Sequence, residues 1–105
     1  LIEALVDLNL QNKDGNTALI YASYKSYEKI VKLLIEARSY LNIQNKIGDT
    51  ALICASYKGN IGIVKLLIES GTNLNIQNKD DNTALMLASK EGHTEIVKLL
   101  KEKTI

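Results

Sequence analysis

One histidine, one cysteine and a pair of adjacent aspartates are the residues of this 105-residue chain that invite a chemical reading. His93 has no second His or Cys at ligand spacing, so a structural imidazole is favoured over a metal ligand or a general base. Cys54 has no cationic neighbour assured beside it to stabilise a thiolate, and an inert, partly buried thiol is expected. Asp80 and Asp81 sit in a polar turn, where nothing apolar raises a carboxyl pKa, so solvated acids are favoured over an acid/base pair. The chain shows no glycine-rich phosphate loop and no nucleophile with a base in reach. No catalytic residue, metal or cofactor is assigned, and an enzyme is not expected.

The elements that hold these residues repeat. Asp49-Thr50-Ala51-Leu52-Ile53-Cys54-Ala55-Ser56, followed by Ile63-Val64-Lys65-Leu66-Leu67-Ile68, meets itself when the chain is slid by 33 residues. Upstream the stretch becomes Asn16 to Ser23 with Ile30 to Ile35, and downstream Asn82 to Ser89 with Ile96 to Leu100. A fixed period in this range marks a stacked-repeat architecture. The boundaries follow: 1–13 as the tail of an incomplete repeat, full repeats at 14–46 and 47–79, and a capping repeat at 80–105. Leu1-Ile2-Glu3-Ala4 aligns with Leu34-Ile35-Glu36-Ala37, so the natural protein is expected to continue upstream.

Within a repeat, Asp14-Gly15 reads as a turn and Thr17 as an N-cap. A short helix over about Ala18 to Lys25 presents Leu19, Ala22 and Ser23 to its neighbours. A second, over about Glu28 to Ala37, places Ile30, Val31, Leu33 and Leu34 as an inward apolar stripe. Lys29, Lys32 and Glu36 fall toward solvent. Neither helix is long enough to stand alone in water, so stacking must stabilise both. In the last repeat, Lys101 and Lys103 replace Ile68 and Ser70, the polar outer face that a terminal repeat needs.

Composition narrows the function classes. A net charge of +1 argues against generic capture of nucleic acid or of anionic membrane. No apolar run is long enough for a membrane span, and the first residues do not read as a signal peptide. A single cysteine makes no internal disulfide, and a reducing, cytoplasmic setting is the default, with nuclear or host-cell delivery left open.

The pattern resembles the ankyrin repeat, whose unit is a β-turn plus two antiparallel helices with a T-P-L-H-x-A signature. Here the signature reads Thr17-Ala18-Leu19-Ile20-Tyr21-Ala22, Thr50-Ala51-Leu52-Ile53-Cys54-Ala55 and Thr83-Ala84-Leu85-Met86-Leu87-Ala88. The family's Gly-His step is intact at Gly92-His93, reads Gly59-Asn60 in the middle copy and is lost at Ser26-Tyr27. Ser26 and Arg38 stand where the family uses glycine, each at a cost of about 1 kcal/mol if the backbone keeps a positive φ. The resemblance implies an all-α ankyrin solenoid of helix–turn–helix repeats. It makes Asn9, with Asp7 and Leu1 before it, a candidate for hydroxylation. An Asn that holds the loop backbone is the favoured reading of Asn9.

The resemblance also implies a non-enzymatic protein-binding module that uses its turn tips and first helices. Those positions are Lys13, Asp14, Asn16, Tyr24 and Lys25 in the first full repeat. In the second they are Lys46, Ile47, Asp49, Tyr57 and Lys58, and in the third Lys79, Asp80, Asn82, Lys90 and Glu91. Tyr24 and Tyr57 are expected side by side, flanked by Lys25, Lys58 and Lys90, favouring a monomer that binds a protein with an acidic patch. The alternative is a regulatory or targeting segment of a larger enzyme or effector whose catalytic domain lies upstream.

Overall fold

A computed structural model describes residues 7–104, and the sequence readings at Leu1, Ile2 and Leu5 lie outside the described residues. Among the described residues six helices follow one another: α1 (Ala18–Lys25), α2 (Glu28–Glu36), α3 (Ala51–Lys58), α4 (Ile61–Glu69), α5 (Ala84–Lys90) and α6 (Thr94–Lys103). Among the described residues there is no strand. Each helix pair is antiparallel neighbours in one repeat, and α1, α3 and α5 pack in one row while α2, α4 and α6 pack in a second. The result is a short rod of 42 × 25 × 24 Å.

Threonine starts every first helix. Thr17, Thr50 and Thr83 each adopt extended backbone, and their hydroxyls accept from the N–H of Ile20, Ile53 and Met86 at 3.1, 3.2 and 3.3 Å. Each bond satisfies one of the orphan donors that a helix start leaves exposed. Among the described second helices only α4 has a side-chain cap, Asn60 Oδ1 accepting from the Ile63 N–H at 3.0 Å. α1 and α3 end in left-handed residues, Ser26 at φ 63° and Gly59 at φ 80°. Ser26 and Arg38 (φ 70°) thus hold the glycine conformation that the sequence anticipated.

The core is aliphatic and lies between the two rows. Leu19, Ala22, Leu52, Ala55, Ile63, Leu67, Ile96 and Leu100 are all buried there, and α3 is buried along Ala51 to Ser56. The stripe expected on α2 needs correction. Val31 is buried and Leu34 half-buried, but Ile30 is 47% and Leu33 63% exposed. Their counterparts Ile63 and Ile96 are buried, and Leu66 and Leu99 half-buried, because α4 packs on α2 and α6 on α4. Among the described residues no helix covers α2 on its other side, so the same sequence pattern leaves that face in water.

The loops between repeats stack as tightly as the helices. Asn12 Oδ1 accepts from the N–H groups of Asp14 and Asn16, both at 3.0 Å, and Asn45 and Asn78 hold the next two turns in the same way. Adjacent turns are tied by the Lys46 N–H donating to the Asp14 carbonyl at 3.1 Å and the Lys79 N–H to the Ile47 carbonyl at 3.0 Å. The glutamines before Asn12 and Asn45 add a second tie, whereas Gln77 Nε2 donates to Asp81 O within its own turn. Gln44 Nε2 donates to Gly48 O in its own turn and to Gln77 O in the following one, as Gln11 does to Gly15 O and Gln44 O. A Cβ on Gly48 would come within 2.8 Å of the Asn78 Cα and of the Lys79 nitrogen, so glycine is what allows this approach.

Candidate binding groove

The turn tips and the first helices enclose a cavity of about 370 Å³ between the first two full repeats. Ile20 and Cys54, both buried, form its floor, and Tyr21 and Tyr24 on successive turns of α1 form one wall. Asp14 and Asn16 close it on one side, and the turn running from Asn45 through Asp49 on the other. Six of the residues assigned to partner binding from the sequence therefore meet at one place: Asp14, Asn16, Tyr24, Lys46, Ile47 and Asp49. Lys79, Asp80, Asn82, Lys90 and Glu91, on the third turn and at the end of α5, do not line it, nor do Lys13, Lys25, Tyr57 and Lys58.

Sequence reasoning missed Tyr21, Ile20, Asn45 and the contribution of Cys54. Tyr21 was recoverable, since it precedes Tyr24 by three residues and shares its helix face. The size of Cys54 was the other clue. Its counterparts at the same repeat position, Tyr21 and Leu87, are both larger.

Tyr24 and Tyr57 are 45% and 43% exposed, but the ring pair in contact is a different one. Tyr21 and Tyr27 meet edge to face, with centroids 6.4 Å apart and planes at 66°. Tyr24 instead faces ammonium groups, with Lys58 Nζ 4.7 Å and Lys25 Nζ 6.0 Å from its ring centroid. Lys25 also lies 5.7 Å from the Tyr21 centroid. Such contacts use the negative face of the ring and hold the lysines over the tyrosines.

The electrostatics of the groove centre on Asp49. Its carboxylate accepts from Asn78 Nδ2 at 2.9 Å. Burial pushes its pKa up from the ordinary value of 3.8, the Asn78 bond pulls it back, and the Asp80 charge raises it again. The equivalent bond one repeat earlier runs from Asn45 Nδ2 to Asn16 Oδ1, also at 2.9 Å, with a neutral acceptor. Cys54 lies beside this acid, and burial, with the Asp49 charge adding to it, pushes its thiol up to about 12. At neutral pH it is a protonated, small apolar group.

The remaining chemistry-bearing residues have structural surroundings. The Nε2 of His93 lies 3.0 Å from the Tyr57 carbonyl, and its ring stands against Gly59, where a Cβ would come within 2.6 Å of it. The imidazole thereby fixes the α5–α6 turn onto the end of α3. Asn9 Oδ1 accepts from the Tyr40 N–H at 2.7 Å, and Asn42 does the same for Asn73 at 2.9 Å. Asp80 and Asp81 lie in the third turn, both exposed. Among the described residues no cluster of His, Cys, Asp or Glu is placed to hold a metal ion, and no helix is long and apolar enough to cross a membrane.

Two stacked rows of short antiparallel helices, bridged by turns that bond to one another every 33 residues, define a helical repeat solenoid with an open groove along its turn side. The family profile described as Ankyrin repeats (3 copies) matches residues 1–78 and again 30–105, and the chain belongs to the ankyrin-repeat family. No curated protein matches it. Ankyrin repeats are in general protein–protein interaction modules, typically non-catalytic.

Proposed function

We propose that this chain binds another protein across the face made by its turn tips and first helices. The observation that carries the reading is the groove itself: Tyr21, Tyr24 and Ile47 stand half-exposed or exposed around a recess that reaches the core. Exposed tyrosines supply rigid apolar area with a polar tip, the property that makes them frequent binding anchors. Lys25, Lys58 and Lys90, on or beside the ends of α1, α3 and α5, favour a partner with Asp or Glu opposite them.

Replacing Tyr24 and Tyr57 together by Ala tests this. The pair is expected to weaken a genuine partner by about 2 kcal/mol or more. Helical circular dichroism should change little, since both rings lie outside the buried core. Capture with the parent, with this double variant and with a Lys32, Lys65 and Lys98 variant of the opposite row reads out the face. A partner kept by the tyrosine variant and lost with the lysine variant would move the site to the other surface.

A further inference from the structure

The cavity over Cys54 has features that select its occupant. Its floor is apolar and its wall aromatic, while two carboxylates, Asp14 and Asp49, stand in its lining against one lysine, Lys46. An acidic side chain entering it would face both carboxylates. A purely apolar one would strip water from Asp49 and return nothing to its charge, an uncompensated burial. A long cationic side chain meets neither objection. Its methylene stem can lie on Cys54 and the tyrosine rings while its head reaches the acids. Lys25 and Lys58 already hold their ammonium groups over Tyr21 and Tyr24, so an incoming cationic head is directed away from those ring faces and toward Asp14 and Asp49.

We propose that the cavity bounded by Asp14, Tyr21, Tyr24, Asp49 and Cys54 is a subsite for the side chain of an arginine or lysine of the protein partner. The subsite rests on the concave-face reading and refines it. Acidic positions of the same partner would meet Lys25 and Lys58, which lie outside the cavity lining. Asp49 is the group that gains most. Burial and the neighbouring Asp80 both disfavour its charge, and the Asn78 amide is the group that favours it. An incoming cation supplies the missing opposite charge.

Cys54 sets the size of the site. The same repeat position carries Tyr21 before it and Leu87 after it, both larger side chains than the thiol. Cys54→Leu should therefore fill the floor, and Asp49→Asn should keep the hydrogen-bond acceptor while removing the charge, as Asn16 does naturally.

The probe is an acetylated, amidated Gly-Arg-Gly peptide titrated into the isotope-labelled chain to about 10 mM, a range that detects weak binding. Gly-Lys-Gly, Gly-Leu-Gly and Gly-Glu-Gly serve as comparators. The Arg or Lys peptide should shift the amides of Ile47, Asp49 and Cys54 saturably. Asp49→Asn should weaken that binding roughly fivefold, as the loss of one partly exposed charge pair does. Cys54→Leu should abolish it. If Cys54→Leu does not fold, the Asp49→Asn titration decides alone. Equal or larger shifts from the Leu or Glu peptide overturn the proposal, as does an arginine affinity untouched by Asp49→Asn. So does the absence of any saturable shift from the cationic peptides. If those peptides fail while the tyrosine double variant still loses its partner, the subsite falls and the concave-face reading stands.

Discussion

At the scale of single residues, repeats provide their own controls. Asp49, Asn16 and Asn82 occupy one position in three successive units, and only the first of them carries a charge that burial opposes. The folded chain holds the Asp49 proton more tightly than the unfolded chain does, so its contribution to stability is fully present below the ordinary value of 3.8. It is lost as pH rises through the raised folded value. Asp49→Asn removes that loss, and urea unfolding should show the variant more stable at neutral pH by up to about 0.5 kcal/mol, since the group is partly exposed. The gain should vanish below about pH 4, where the unfolded acid is also protonated. The aspartate at 49 was plain in the sequence, but its burial was not. That burial depends on Asn78, 29 residues away, arriving beside it.

At the scale of elements, the sequence yielded helix positions closely and helix faces unevenly. α1 runs over the residues expected of it, and α2 ends at Glu36, one residue short, with Ala37 as its cap. Caps and turns are local chemistry, so Thr17, Gly15 and the strained Ser26 were legible from their immediate neighbours. The apolar stripe of α2 was not, because periodicity records which residues share a face and says nothing about what covers it. Ile63 and Ile30 illustrate the difference. Ile63→Ala should cost about 2–5 kcal/mol, the range for an aliphatic side chain wholly removed from a core. Ile30→Ala, at the same repeat position but 47% exposed, should cost about 1 kcal/mol or less. Chemical denaturation of both variants checks the contrast.

At the scale of the whole molecule, stability is a sum over neighbours, and the neighbours are unequal. α3 touches α1, α4 and α5 and is buried over six consecutive residues, whereas among the described residues α1 and α2 pack against the rest from one side. Hydrogen exchange should accordingly protect residues 50–69 most and the helices of residues 18–36 least. Uniform protection from end to end would contradict this. The groove shows the same limit of sequence reading at larger range. Its exposed corners, Tyr24, Asp14 and Ile47, were visible in the chain as turn and helix-tip positions. The recess between them is lined by residues of two different repeats, Ile20 and Tyr21 of one with Cys54 of the next, and that meeting became visible only once the stack was built.

The bonds from Gln11 and Gln44 have a consequence for how such a chain can lengthen. Each carboxamide holds its own turn and grips the turn 33 residues on, always in the same direction, so every junction is a copy of the last. A second copy of residues 47–79 inserted after Lys79 would recreate both grips without a new side chain being invented, and such a chain should melt at a higher temperature than the parent. The same unit joined beyond the third turn meets an obstacle. Asp81 stands there at φ 64° in the place of Gly15 and Gly48, whose missing Cβ is what lets the following turn come close. Growth by duplication is therefore open in the interior of this protein and barred at its third turn, and a single change, Asp81→Gly, is the key that should release it.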